Sequence, residues 1–322
     1  MEELEARYSL PAGEGDGAIL GLAAGDTAGG AWELGYSAVT EQATVLSYQL
    51  IEHLQVSSDG VAEAIRELDG AGDEEPVYRS ESPHFRRWLD RAAAGSNVPE
   101  GEPSIDPAPR AVPFGVAFRE EPERLIEQVI ESESVFHNHA PSILGGVVVA
   151  SAVAASCFAQ AGRDLIAGVS ETAEMASRAL SQRSALSGVE ELEAAVADVA
   201  ALVDLVGVTT GSDAMAALGV EGVGRPWDQI RAGLLVSAPV GDRDHVPLEQ
   251  AAHIGGSPLG AAVGGIVGAR VGIRAWPWAF ANDTWFAEIG RRLARGPQEV
   301  ADLPIPYAVE QHLISGERRG FH

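Results

Sequence analysis

A glycine turn followed by an uncharged helix, HIGGSPLGAAVGGIVGARVG at residues 253–272, constrains the fold more than any other stretch. Gly255 and Gly256 suit a tight turn, and Ser257-Pro258 has the pattern of an N-cap followed by proline at the first helical position. The Ala/Gly/Val segment that follows carries no charge before Arg270. The stretch therefore predicts a helix that packs closely against other buried helices.

Helical periodicity dominates the rest of the chain, without a convincing run of alternating strand residues. The uncharged segment 140–162 is interpreted as a central buried helix, because it is rich in Ala, Gly and Ser and lacks flanking basic clusters. We expect an all-α, compact helical bundle forming a single domain over 1–322, with its core at about 14–318. Helices are predicted at 16–32, 39–57, 60–69, 80–94, 109–118, 121–135, 140–161, 163–183, 187–206, 226–237, 246–254, 258–271, 279–294 and 306–316.

Composition excludes several classes of function. The formal net charge is -25, which argues against nucleic-acid and anionic-membrane partners. All 22 basic residues are Arg, so lysine Schiff-base chemistry and a P-loop lysine are excluded. A single cysteine, Cys157, excludes an internal disulfide and a multi-cysteine metal site. Because the acidic N-terminus lacks an apolar signal core, we expect a cytoplasmic location.

Five segments share a pattern of glycines, acids and histidines. Taken in chain order, they are GAILGLAAGDTAGGAWE (17–33), VTEQATVLSYQLIEHL (39–54), PRAVPFGVAF (109–118), FHNHAPSILGG (136–146) and the stretch 253–272. Their order and spacing resemble the ADP-ribosylglycohydrolase family, whose members remove ADP-ribose from arginine, serine and dinitrogenase reductase. The resemblance covers 17 to about 295 and implies an all-α bundle with its active cleft at helix ends.

The family binds two magnesium ions through T-D-D-T and D-T-D-T motifs, and this chain departs from both. Thr40 is retained, whereas Glu41 and Gln42 stand at two of the Asp positions. Ser257 and Leu259 stand at the other two. Magnesium prefers hard, commonly anionic oxygen ligands, and only Glu41 would keep a negative charge. Although the resemblance implies magnesium, we therefore expect no metal and no cofactor here.

The loop similar to the family's G-N-G-x-M-R segment, which lies against ADP-ribose, reads SIDPAPR at 104–110. Asp106 would repel a diphosphate, and Pro107 and Pro109 remove backbone donors. The loop therefore does not favour intact ADP-ribose. Arg110 either pairs with a phosphate or carboxylate of the ligand or neutralises Asp106, and the sequence leaves both alternatives open.

Acidic residues of the first two helices are the candidate catalytic groups. Asp26 and Glu33, seven residues apart, fall on one helix face, and Glu41 follows a short loop. Paired carboxylates can stabilise an oxocarbenium-like centre while one acts as acid or base, so Glu33 and Glu41 are predicted to be catalytic. Asp26 is more simply interpreted as hydrogen-bonding backbone. Glu41 could equally be a solvated first-turn glutamate.

Aromatic and histidine residues complete the predicted pocket. Trp32, beside Glu33, could stack on a ring of the ligand. His137 and His139 suggest zinc, but without a third ligand nearby we favour structural hydrogen bonding of their loop. The predicted ligand-binding residues are Asp26, Trp32, Thr40, Gln42, Asp106, Arg110, His137, Ser257 and Leu259.

These features predict a metal-independent enzyme that acts on a ribosyl, nucleoside or other small cyclic substrate through cleft carboxylates. Two alternatives remain open: a non-catalytic pseudoenzyme that binds an ADP-ribosyl or nucleotide ligand, and a structural or oligomeric scaffold. The expected partner is a small molecule, possibly ribosylated. The sequence does not specify the oligomeric state.

Overall fold

The computed structural model describes residues 15–29, 36–70, 78–207, 213–222, 224–239, 246–272, 282–296, 303–304 and 309. Within these ranges the regular elements are helices and no strand occurs, as the periodicity predicts. No helix in them is long and apolar enough to span a bilayer. The helices are α1 (Ala18–Gly29), α2 (Ala38–His53), α3 (Ser58–Gly70), α4 (Pro83–Ala93), α5 (Pro107–Arg110), α6 (Val112–Ala117), α7 (Pro122–Glu133), α8 (Ala140–Ser156), α9 (Gly162–Ser181), α10 (Leu192–Ala201), α11 (Ala214–Ala217), α12 (Pro226–Ser237), α13 (Val246–Val271) and α14 (Asp283–Arg295).

Glycines allow α1 and α13 to lie backbone against backbone. A Cβ atom at Gly25 would lie 1.9 Å from the carbonyl oxygen of Gly260, and one at Gly264 would lie 2.0 Å from that of Gly21. Residues four apart share a helix face, so these contacts align along one stripe of each helix. The two helices are antiparallel, because the later residue of α1 meets the earlier residue of α13. The close packing expected of stretch 253–272 is therefore confirmed.

The glycine turn expected in that stretch is also present. Residues 246–271 form one helical run with a break inside it, because Gly255 has φ -133° and ψ 17° and Gly256 has φ 65° and ψ -159°. The positive φ of Gly256 is a conformation that glycine adopts without strain. The break separates the two predicted helices 246–254 and 258–271, and it places Ser257 against the end of α1.

The central buried helix predicted at 140–161 is α8, Ala140–Ser156. Its side chains are buried on all faces except at Ala155, which is half-buried. Helices α5, α6, α7 and α9 pack around it. Cys157, which follows its last turn, is buried, as its apolar surroundings suggest.

Two predicted helices are interrupted. The segment 109–118 contains the end of α5 and all of α6, and Pro113 near the start of α6 cannot donate to the preceding turn. The segment 187–206 consists of 3-10 turns at Val189–Glu191 and Leu202–Asp204 on either side of α10. Gly188, directly before the first of these turns, has a left-handed backbone conformation with φ 70°. Apart from residue 309, the helix predicted at 306–316 lies outside the described residues.

Candidate functional site

Asp26, near the end of α1, organises the start of α2. Its Oδ2 accepts the backbone N–H of Ser37 at 2.8 Å and the hydroxyl of Thr40 at 2.8 Å, while the Ser37 hydroxyl donates to Oδ1 at 2.9 Å. Burial raises the pKa of Asp26, and the hydrogen bonds from Ser37 and Thr40 oppose this shift. Asp26 thus hydrogen-bonds backbone, as its simpler interpretation predicts, and Thr40 is engaged in the same network.

Glu41, in the first turn of α2, is buried and bound to Arg79. Nη2 of Arg79 lies 2.5 Å from Oε1 of Glu41, and the backbone N–H of Arg79 donates to Oε2 at 3.1 Å. The carbonyl of Arg79 accepts the N–H of Ala38 at 2.6 Å, so its segment is fixed on the N-terminus of α2. The guanidinium carbon lies 4.7 Å from the ring centroid of Tyr36. The alternative of a solvated first-turn glutamate is therefore wrong.

Gln42 accepts a hydrogen bond from Arg110, which is itself bound to Glu133. Nη1 of Arg110 donates to Oε1 of Gln42 at 2.8 Å, and Nη2 donates to Oε2 of Glu133 at 2.7 Å. Nε of Arg110 also donates to Oε1 of Glu133 at 3.3 Å and to Oε2 at 3.1 Å, so both carboxylate oxygens are engaged and the pair is bidentate. Its guanidinium carbon lies 4.3 Å from the ring centroid of Phe136. The expected alternative in which Arg110 neutralises Asp106 is therefore corrected: its ion-pair partner is Glu133, at the end of α7.

Asp106 ties the loop before α5 to the start of α4. Its carboxylate accepts the hydroxyl of Ser82, which also accepts the N–H of Phe85 at 3.1 Å as the N-cap of α4. The N–H of Asp106 donates to Ser104 Oγ at 3.1 Å, and the N–H of Ser104 donates to Ser142 Oγ at 2.9 Å. The loop is thus held at both ends by side-chain hydrogen bonds.

Ser257 and Leu259 have different surroundings although both follow the glycine turn. The hydroxyl of Ser257 donates to the backbone carbonyl of Asp26 at 3.1 Å. Leu259 is buried, and its Cδ1 lies 2.7 Å from where a Cβ at Gly233 would be. Leu259 therefore fills the space that Gly233 leaves on α12 and contributes to the apolar core.

His137 is buried without a hydrogen-bond partner for its ring. Neither ring nitrogen has a partner in the part of the chain that the structure describes. The structural hydrogen bonding expected of the two histidines is made by the other ring, since Nδ1 of His139 lies 2.9 Å from Ser142 Oγ. The loop is also held by its backbone, since the N–H of His137 donates to Glu133 at 2.9 Å. Burial, followed by the charge of Arg110, holds the pKa of His137 well below its usual range. The ring is therefore neutral at pH 7.

A second polar cluster contains His84, Glu100 and Glu102, whose ligand atoms lie within 4.8 Å of one another. Two arginines already neutralise the carboxylates: Arg87 lies 3.3 Å from Glu100 and 2.9 Å from Glu102, and Arg91 lies 2.6 Å from Glu100. A divalent cation would be repelled by both guanidinium groups. We interpret the cluster as an ion-pair network that joins α4 to the loop before α5.

A pocket of about 340 Å³ is lined in part by Ser104 and Ser142, which are hydrogen-bonded to each other. Its walls come from the loop before α5, the start of α8, the segment from the 3-10 turn Val189–Glu191 into α10, and the start of α12. We call it the His139–Trp227 pocket. Its polar and aromatic lining includes His139, Ser142, Glu190, Glu191, Arg225 and Trp227.

The pocket differs from the predicted site. None of the predicted ligand-binding residues within the described ranges lines it, and Trp32 and Glu33 lie outside those ranges. From the sequence, His139 was considered only for zinc binding or structural hydrogen bonding, and Trp227 was not considered. The signal available was an aromatic residue in the first turn of a predicted helix, directly after Pro226. The sequence alone does not show that this residue lines a pocket, because that depends on the packing of α12 beside α8.

Comparison with known proteins agrees with both the order of the sequence motifs and the helical fold. A family model described as ADP-ribosylglycohydrolase matches residues 15–302. The chain belongs to this family. Among solved structures, it is similar to one titled "ADP-ribosylglycohydrolase-related protein complex", with 20% identity and a TM-score of 0.62 over 92% of this chain and 99% of that one. At this identity the likeness shows the fold alone. A search of curated proteins gave no significant match.

Proposed function

We propose that this chain is a member of the ADP-ribosylglycohydrolase family that works without a magnesium pair and binds a small ring-containing ligand in the His139–Trp227 pocket. The observation that carries the proposal is the ion pair between Glu41 and Arg79. Of the four positions where the family has Asp, only Glu41 keeps a negative charge, and the guanidinium of Arg79 is paired with it.

The donor set does not fit a magnesium pair. Magnesium requires several hard oxygen ligands in near-octahedral geometry. Glu41 is paired with Arg79, Gln42 is already an acceptor for Arg110, and Leu259 offers no donor. The hydroxyl of Ser257 is neutral and donates to Asp26. Two guanidinium groups thus supply positive charge beside the positions from which the family's carboxylates bind cations.

The pocket supports ligand binding because it combines a concave shape with few polar groups and one aromatic side chain, as small-molecule sites do. His139 and Ser142 lie on its buried side, whereas Trp227 is half-buried at its wall. Trp227 donates its indole N–H to Asp198 at 3.1 Å, which fixes the orientation of the ring. A ligand ring can therefore stack on it at low entropic cost.

Equilibrium dialysis against magnesium followed by metal analysis tests the first half of the proposal. We expect no stoichiometric uptake by the unmodified chain. Uptake of two ions that disappears in Glu41→Gln would contradict the proposal, and Glu131→Gln serves as the matched control. Glu131 is half-buried and accepts hydrogen bonds from Ser58, outside the family motif.

Thermal unfolding in the presence of nucleosides, sugar phosphates and ADP-ribose tests the second half. We expect at least one ring-containing compound to raise the Tm, and Trp227→Ala to abolish the shift. Phe158→Ala is the control, because Phe158 is an exposed aromatic residue that does not line the pocket. A shift that persists in Trp227→Ala would place ligand binding elsewhere and contradict the proposal.

Turnover by Glu33 and Glu41 is the second candidate function. It is favoured by the position of the Glu41 carboxylate beside Arg79 in the first turn of α2, since a carboxylate in a cleft can stabilise a developing positive charge. We expect Glu33→Gln and Glu41→Gln to abolish any turnover without unfolding the chain, and full activity in both variants would eliminate this candidate.

A further inference from the structure

We infer that the His139–Trp227 pocket selects a positively charged ring compound over a neutral or anionic one. The inference rests on the proposed binding of a small ligand in this pocket and adds the charge that the ligand carries. It is argued from the ion pairs around the pocket, the neutral imidazole of His139 and the position of Trp227.

The basic group that lines the pocket is already matched. Nε of Arg225 lies 3.2 Å from Oδ2 of Asp228, which also accepts the backbone N–H of Arg225 at 3.1 Å. Arg225 and Asp228 are the first and fourth residues of a capping arrangement at the start of α12. Because this carboxylate competes for the guanidinium, Arg225 offers little net attraction to a phosphate or carboxylate of a ligand.

The acidic groups of the lining exceed the basic ones. Asp198 is balanced by Arg231, whose Nη2 lies 3.5 Å from Oδ1. Glu190 and Glu191, on the 3-10 turn, have no ion-pair partner within the described ranges. Both glutamates are exposed and line the pocket together with His139, and their charges raise the pKa of His139 against the larger effect of burial. Two negative charges therefore remain once the pairs are matched.

The buried wall of the pocket adds no positive charge. Burial lowers the pKa of His139, so the imidazole is neutral at pH 7. Ser142 Oγ accepts the N–H of Ser104 at 2.9 Å and lies 2.9 Å from Nδ1 of His139. We assign the Ser142 hydroxyl proton to this second contact, which leaves the ring proton of His139 on Nε2. This wall thus presents a neutral hydrogen-bonding ring.

The imidazole of His139 occupies space that a side chain at position 188 would fill. A Cβ at Gly188 would lie 2.9 Å from Nε2 of His139, and the residue has φ 70°. A side chain here would be strained and would displace the imidazole. Gly188 therefore allows the imidazole to pack against the backbone just before the two glutamates.

Trp227 supplies the complementary feature. The face of an indole attracts cations, with a contribution that grows when the cation loses water. Glu190 and Glu191 line the same pocket from an element separate from α12. A flat cation can therefore contact the indole and the carboxylates together. The volume of about 340 Å³ limits the ligand to a small ring compound with few substituents.

A series of three pyridine compounds tests the inference, because they differ mainly in charge: 1-methylnicotinamide is a cation, nicotinamide is neutral and nicotinate is an anion. Their Kd values are measured by isothermal titration at pH 7 and low ionic strength, and again at high ionic strength. We expect the cation to bind about tenfold more tightly than the neutral compound, as two weak charge interactions and one cation–aromatic contact allow. The preference should decrease in salt.

Glutamate variants separate the charge from the shape. We expect Glu190→Gln/Glu191→Gln to bring the Kd of the cation close to that of nicotinamide while leaving the Kd of nicotinamide unchanged. Glu171→Gln/Glu193→Gln is the matched control, because it removes the same two charges from exposed positions of α9 and α10 that do not line the pocket. An equal loss in this control would show that only the net charge of the chain matters and would overturn the inference.

The outcomes distinguish this inference from the proposed function. Equal affinities for the cation and the neutral compound, or preference for nicotinate, would overturn the charge selection but leave ligand binding in the pocket intact. Failure of all three compounds to bind would also overturn the inference. The proposed function is decided separately, by the Trp227-dependent thermal shift with nucleosides, sugar phosphates and ADP-ribose.

Discussion

Nη2 of Arg79 lies 2.5 Å from Oε1 of Glu41, within a segment whose backbone is also hydrogen-bonded to the first turn of α2. The pair connects residues 38 positions apart in the chain. One partner stands at a position where the family has a metal-binding aspartate, and the other belongs to no motif of the sequence. A side chain of the protein thus provides the positive charge next to this carboxylate.

Removing Arg79 is expected to destabilise the fold. In Arg79→Gln the Glu41 carboxylate stays buried without its counter-charge, so the free energy of unfolding should fall by about 3 kcal/mol. The double variant Glu41→Gln/Arg79→Gln should lose less, because neither charge remains. Urea unfolding measures both. The control is Arg178→Gln, which breaks an exposed pair with Glu174 and should cost less than about 1 kcal/mol. An equal loss of stability in Arg79→Gln and Arg178→Gln would refute the argument.

Restoring the family aspartate at position 259 is not expected to restore a metal site. Leu259 is buried against Gly233, so Leu259→Asp places an unpaired carboxylate in the apolar core and should cost about 3 kcal/mol or more. Leu259→Met keeps the volume and should cost less than about 1.5 kcal/mol. The measurements are urea unfolding and dialysis against magnesium. Undiminished stability together with magnesium uptake by Leu259→Asp would show that this side chain faces a cation site.

The contact between α1 and α13 predicts opposite results for two glycine substitutions. In Gly264→Ala the new Cβ would lie 2.0 Å from the carbonyl of Gly21, so the helices must separate, at a cost of about 3 kcal/mol or more. In Gly168→Ala the nearest atom, on Gln160, is 3.6 Å away, and α9 should gain up to about 1 kcal/mol of helix propensity. Thermal unfolding compares the two, and the prediction fails if Gly264→Ala is tolerated as well as Gly168→Ala.

Acidification below about pH 6.5 is expected to destabilise the chain through His137. In the unfolded chain this histidine takes up a proton in that range, whereas burial and Arg110 keep it neutral in the folded chain. The unfolded state then binds more protons, so stability falls as the pH falls, by at most about 1.4 kcal/mol per pH unit. His137→Phe should remove this contribution without the loss of a side-chain hydrogen bond. His53→Asn, at an exposed site, is the control, and an unchanged pH profile in His137→Phe would disprove the assignment.

The site shows where sequence reasoning reached its limit. Asp26 was interpretable because its partners, Ser37 and Thr40, lie only 11 and 14 residues away and flank a predicted helix start. The partners of Glu41 and Arg110 are 38 and 23 residues distant, and several acids compete for each arginine. Nothing in the local pattern chooses among them. For the same reason the pairing of Arg110 with Glu133 was not foreseen.

The sequence by itself determined the all-α class, the order of the helices, the glycine break before Ser257 and the membership of the family. These properties follow from periodicity, turn chemistry and motif spacing, which are written in neighbouring residues. Only the tertiary structure decided which arginine neutralises which carboxylate, that Leu259 faces the core, and that the open pocket lies between His139 and Trp227. Those outcomes depend on how distant helices pack, and packing is decided by the burial of the whole chain at once.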